Sequence, residues 1–213
     1  MDKTLFSKVY LWLFIGLLVT FGTGVVTSQN KDALEVLFVQ NRYWIFAVAE
    51  VAIALYLSLR IQKMSPTAAR ICYLLYTFLT GLTFSTIFIA YKITSIIMVF
   101  GVTSALFLAF ALIGAKTNVD LTKFRTYFFM ALIGMIICTI INLFLRNPMF
   151  DILICCASIV IFLGYIAYDI QRIKSMEGVM DDDKVAVFMA FQLFLDFINV
   201  FMDLLRLFGD TRD

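Results

Sequence analysis

Seven apolar stretches run along the chain, each near the ~20 residues that cross a bilayer as a helix. They cover roughly residues 9–27, 43–61, 71–90, 95–114, 126–145, 152–169 and 185–207. Lys3 and Lys8 precede the first stretch, as they would in a signal peptide. Its apolar run is too long for one, however, and no small-x-small cleavage site follows, so a retained first helix is expected. The only prolines, Pro66 and Pro148, are expected in loops, leaving the helices unkinked. No room remains for a soluble domain. The pattern predicts an all-α membrane protein of seven helices, with residues 1–213 as one transmembrane domain.

Basic residues set the orientation. The N-terminus and every second connection hold eleven lysines and arginines: Lys3, Lys8; Arg60, Lys63, Arg70; Lys116, Lys123, Arg125; Arg172, Lys174, Lys184. The opposite side holds six: Lys31, Arg42, Lys92, Arg146, Arg206 and Arg212. This predicts a cytoplasmic N-terminus and an external C-terminus.

Composition agrees with the pattern and narrows the chemistry. The chain is 62% hydrophobic and 15% charged, against about 25% charged in a soluble domain. A net charge of +2 says little, since most charges lie in short loops. There is no histidine. That removes imidazole bases, Ser-His-Asp triads, histidine metal ligands and histidine pH switches. Cys72, Cys138, Cys155 and Cys156 all fall in apolar runs with no metal-ligand spacing, and read as small buried hydrophobes.

An ionisable group inside a spanning helix is costly and is a functional candidate by default. Glu50, Asp169, Asp196 and Asp203 qualify. On the seventh helix Gln192, Asp196, Asn199, Asp203 and Arg206 recur at steps of four, three, four and three, forming one polar seam. The sixth carries a sparser seam of Ser158, Tyr165, Asp169 and Arg172. Asp203 precedes Arg206 by three residues, so a local ion pair accounts for it. Arg60 ends the second helix, where snorkelling to the inner surface is the plain account. Glu50 lies about 15 Å deeper than Arg60 by helix rise, either hydrogen-bonded to a neighbour or lining a path. Asp196 has no basic residue three or four positions away and needs a partner on another helix. Depth resists its pairing with Asp169. Asp196 lies about 17 Å into its stretch while Asp169 ends its own, so the seventh helix must start later than hydropathy suggests, or tilt.

Two carboxylates held close in low dielectric cannot both ionise cheaply and tend to share a proton. Such a pair serves as a proton-sensitive latch, a hard-cation site or a protease dyad. Tyr168-Asp169 fits an intramembrane aspartyl protease, but Leu193-Phe194-Leu195 stands where Gly-x-Gly should precede the second aspartate. A retinal receptor needs a lysine in the seventh helix, and residues 185–207 contain none.

Three segments carry a family resemblance. They are Ala111-Leu-Ile-Gly-Ala-Lys-Thr-Asn-Val-Asp-Leu-Thr122, Gly164-Tyr-Ile-Ala-Tyr-Asp-Ile-Gln171, and Leu195-Asp-Phe-Ile-Asn199 with Leu204-Leu-Arg-Leu-Phe-Gly209. With them the chain resembles the transmembrane Bax inhibitor motif family, specifically its bacterial calcium-leak members. The resemblance implies six helices around a central seventh and a di-aspartyl pH sensor at Asp169 and Asp196. It also implies a basic latch at Arg60. The chain departs from the family at Ile170, where threonine is usual, and in the Asp181-Asp182-Asp183 run, read as a solvated loop. It also lacks the basic tail of some animal members.

The expected function is therefore a pH-sensitive calcium leak in a bacterial plasma membrane. Asp169 and Asp196 sense protons or bind the metal, Arg60 gates, and Glu50, Asn199 and Asp203 line the ion path. No enzyme activity, cofactor or nucleic-acid partner is expected. Calcium, protons and membrane lipid are. The alternative is a membrane interaction protein that modulates a membrane protease or stress response without conducting ions.

Overall fold

The computed structural model of the chain describes residues 3–38, 43–176, 178–179 and 181–212; Arg42, counted above, lies outside the described residues. Among these residues seven long helices carry the fold: α1 Lys3–Gln29, α2 Tyr43–Arg60, α3 Pro66–Ala90, α4 Ile93–Lys116, α5 Arg125–Leu145, α6 Pro148–Met176 and α7 Asp182–Phe208. All seven are long and apolar enough to cross a membrane. Among the described residues, extended pairing is limited to one isolated bridge, Tyr91 with Thr211.

All the helices but α2 overrun their apolar stretches, because backbone hydrogen bonding continues where side chains turn polar. The largest overrun is in α6, which carries Gln171, Arg172 and Lys174 and ends at Met176 rather than Asp169. Both prolines, expected in loops, instead begin helices. Pro66 opens α3 behind Ser65, whose hydroxyl accepts from the Ala68 amide at 3.2 Å. Pro148 opens α6 behind Asn147, whose side-chain oxygen accepts from the amides of Met149 and Phe150. Proline suits a first helical position, where its missing N–H would be unpaired anyway. The α1–α2 connection holds a short helix, Lys31–Phe38, too short to show as a spanning stretch. The Asn30 side chain caps it, accepting from the Ala33 amide.

The chain divides into two compact units. The first comprises Met1–Lys92, Met176–Phe194 and Thr211–Asp213; the second, Ile93–Ser175 and Leu195–Asp210. The two halves of α7 therefore belong to different units. In the first unit α1 meets α3 closely. The Thr20 hydroxyl donates to the Thr77 carbonyl at 2.9 Å, and the Tyr73 hydroxyl to the Trp12 carbonyl at 2.9 Å. Tyr76 stands edge-on to Phe191 and Phe194, with ring centroids 5.1 and 6.0 Å away. In the second unit Phe197 packs against Phe100 and Phe107 at 5.4 and 5.9 Å. Gly114 of α4 lies so close to α6 that a Cβ there would sit 2.7 Å from the Ala167 Cα.

Of the seven helices α7 is the most enclosed: 72% of its apolar window is buried, against 50% or less elsewhere. At the other extreme α5 has no buried residue. Its apolar side chains, Phe144 and Leu143 among them, lie on the surface. Exposed to water, so large an apolar face would be an aggregation site; facing lipid, it is at home.

Candidate functional site

In the second unit the polar seams of α6 and α7 face one another. As numbering rises on α6 it falls on α7, so Asp151 meets Arg206, Ser158 meets Asp203 and Asp169 meets Asp196. The seams coincide because the steps between these residues, seven and eleven on α6 and three and seven on α7, each return to nearly the same side of a helix.

Asp169 and Asp196 are 2% and 5% exposed. Their carboxyl groups lie within hydrogen-bonding range of each other. Asp196 thus finds its partner on another helix. The depth offset is narrowed, not removed, and from the side opposite to the one expected. α7 begins earlier than hydropathy indicated, at Asp182, and it is α6 that continues, about 10 Å past Asp169. Among the described residues one basic group attends the pair: Arg172 Nη1 is 3.7 Å from Asp169 Oδ1, one turn along the same helix. Asp196 Oδ2 is buried and accepts no hydrogen bond from the described residues.

The pairing expected for Asp203 is not the one formed. Arg206 Nε bonds Asp151 Oδ2 of α6 at 3.1 Å, and Asp203 faces the side chains of Ser158 and Cys155. Helix spacing alone favoured the local partner, but the facing helix offers Arg206 a carboxylate at its own end. Asn142 Nδ2 donates to the other oxygen of Asp151 at 3.2 Å. Asn199 of the seam turns back on its own helix, its Nδ2 donating to the Leu195 carbonyl at 2.7 Å.

Glu50 of α2, in the first unit, is half-buried. The hydroxyls of Thr83 and Thr80 donate to its two oxygens at 3.0 and 3.4 Å. Each threonine also lies within reach of a backbone carbonyl, Thr83 of Thr80 and Thr80 of Tyr76. A hydroxyl has one proton, so each must choose between carboxylate and helix. Arg60 ends α2 exposed and forms no ion pair among the described residues.

The Asp181-Asp182-Asp183 run is not the solvated loop it resembled. Asp181 Oδ1 accepts from the amides of Asp183 and Lys184, capping α7. Asp183 joins Lys8 of α1 at 2.7 Å and also Arg70 of α3. The Arg70 guanidinium lies 5.8 Å from the Trp12 ring centre. Acidic residues in the first turn also suit the helix dipole. In the sequence Lys8 and Arg70 stand out as basic residues that bear on orientation, with no partner marked. Nothing in local spacing marks a contact 175 residues apart. Of the cysteines, only Cys155 is buried; its neighbour Cys156 is exposed, since successive helix residues point in different directions.

The polar end of α6 organises the connection after α4. Lys174 Nζ donates to the Ala115 carbonyl at 2.8 Å, near the α4 C-terminus. Gln171 donates to the Val119 carbonyl and accepts from the Leu121 amide, at 2.8 and 2.9 Å. Within this connection Asp120 is held below its ordinary carboxylate range by the Thr122 hydroxyl, which donates to it. Two of the three segments that carried the resemblance are thus bound to each other.

This arrangement spans the chain, and so does the match to a known family. The model described as "Inhibitor of apoptosis-promoting Bax1" covers residues 2–213. The chain belongs to this Bax1-I family. It is 36% identical to the inner membrane protein YbhL of Escherichia coli K12, over 99% of this chain and 93% of YbhL. It is 35% identical to an uncharacterized protein of Borreliella burgdorferi, over 97% and 92% of the two chains. An uncharacterized protein of Rickettsia prowazekii, RP147, is 36% identical over 97% and 89%. Seven membrane-length helices and relatives named as membrane proteins make this Bax1-I member an integral membrane protein.

Proposed function

We propose that the chain is a proton-regulated calcium leak of a bacterial plasma membrane. The carrying observation is the Asp169–Asp196 pair, two buried carboxyl groups in hydrogen-bonding range with Arg172 beside them. Two negative charges there repel in a poorly solvated place, so one shared proton joins the groups and satisfies an otherwise unpaired oxygen. Losing that proton leaves hard oxygen ligands, the kind calcium takes. Protons and calcium then compete for one site. An isolated aspartate, titrating near about pH 4, would not respond around neutrality.

In this reading Glu50, with its threonine hydroxyls, Asn199 and Asp203 supply oxygens along the path. Arg60 is the basic latch that the family resemblance implies. The N-terminus faces the cytoplasm and the C-terminus the outside; cysteine labels at both ends reacting from one side would reject this. Purified protein in calcium-free liposomes loaded with a calcium dye tests the reading. Flux above that of empty liposomes, reduced by Asp169→Asn with Asp196→Asn, is expected. A second reading draws on the local partners of Glu50, Asn199 and Asp203, which suit bundle glue. It makes the chain an interaction protein for a membrane protease or stress factor, and wild-type flux no greater than in empty liposomes would favour it.

A further inference from the structure

Outside the carboxylate pair, the second unit holds a half-open cavity of about 490 Å³ between α5 and α6. Arg125, Thr126 and Phe129 line it from α5; Tyr165, Tyr168 and Arg172 line it from α6. No acidic residue is among them. Two guanidinium forks and three hydroxyls offer donors, and the aromatic rings give an apolar wall. Guanidinium forks match the geometry of an oxyanion with several oxygens.

Depth narrows the ligand. Arg125 is the first residue of α5, and Arg172 lies four residues before the end of α6. Both arginines therefore lie within about one turn of a spanning-helix end, at the level of lipid headgroups. Phe129 is one turn further in, where glycerol and the first acyl carbons begin. Basic pockets between spanning helices at this depth suit anionic headgroups. We infer that this cavity is a phosphate-group site, with Arg125 and Arg172 as its anion ligands and the hydroxyls of Thr126, Tyr165 and Tyr168 around them.

The site has a built-in link to the carboxylate pair, because Arg172 also approaches Asp169. A phosphate group in the cavity draws on the same guanidinium. Binding itself does not depend on whether the chain conducts calcium.

The test is native mass spectrometry of the full chain in a non-ionic detergent micelle, offered phosphatidylglycerol or phosphatidylcholine. Wild type should retain phosphatidylglycerol preferentially, and R125Q/R172Q should lose about tenfold or more of that retention. Exposed Lys123 lies outside the cavity. K123Q removes the same charge there and should change nothing. R125Q alone should lose a substantial part of retention, which keeps the test valid if the double variant is poorly folded. Displacement of the bound lipid by inorganic phosphate would make the free anion sufficient, and persistence would make the lipid the ligand. Equal retention in wild type and both arginine variants, or an equal loss in K123Q, overturns the site.

Discussion

Replacing Gly114 with alanine tests how α6 is positioned. A Cβ at Gly114 would lie 2.7 Å from the Ala167 Cα and 2.8 Å from its carbonyl carbon, and closer still to its oxygen. Real Cβ contacts essentially never fall below 3.0 Å. The obstacle is backbone, so no rotamer change relieves it, and α4 and α6 must part. Overpacking of this kind costs about 1–3 kcal/mol. The intrinsic helix gain of alanine over glycine, about 0.5–1 kcal/mol, offsets only part of that. Gly101 provides a matched control on the same helix, since a Cβ there meets nothing within 4 Å. Thermal unfolding in detergent, followed by circular dichroism, should show Gly114→Ala less stable than wild type and Gly101→Ala equal or slightly more stable. The displaced residue, Ala167, precedes Asp169 by two, so the pH response of any flux should shift as well. If Gly114→Ala unfolds together with Gly101→Ala, the close approach of α4 and α6 is not as described.

Other changes probe separate parts of the structure. Asp183→Asn releases Lys8 and Arg70 together and should lower unfolding stability slightly at low salt. The difference should shrink in 1 M salt, because these groups are partly exposed. Arg146 caps the C-terminus of α5 with φ of 50°, a left-handed conformation that costs a side-chain-bearing residue free energy. Arg146→Gly should therefore stabilise by about 0.5–1 kcal/mol in the same unfolding assay. Asp120, outside the spans, should titrate below the usual aspartate midpoint in carboxyl-detected NMR. Its cap on the Leu121–Phe124 turn is present above the unfolded-state pKa and is lost as pH falls through the depressed folded-state value. Thr122→Val should move that midpoint upward.

The number and type of helices were legible because lipid forces length and apolarity on every span. Their ends were not, since hydropathy stops at the first polar residues while the helix continues; α6 shows this at Gln171 and Arg172. The seams of α6 and α7 were legible from heptad-like spacing, including the need of Asp196 for a partner on another helix. Choices between two available partners were not. Arg206 had a carboxylate three residues away and another on the facing helix, and only tertiary packing decides between them. The contact of Asp183 with Lys8 and Arg70 was hidden for the same reason, and the acidic run resembled an ordinary loop. The α5–α6 cavity leaves no sequence signal, because Arg125 and Arg172 each look like a basic loop residue.

The central claim is that Asp169 and Asp196 act as one proton-sensing unit. The most direct measurement is the pH profile of calcium flux in liposomes for wild type, Asp169→Asn, Asp196→Asn and the double variant. Groups that share one proton behave non-additively. Each single variant should flatten the profile about as much as the double. Two partial effects that add up in the double variant, or a profile that survives all three changes, would contradict the account.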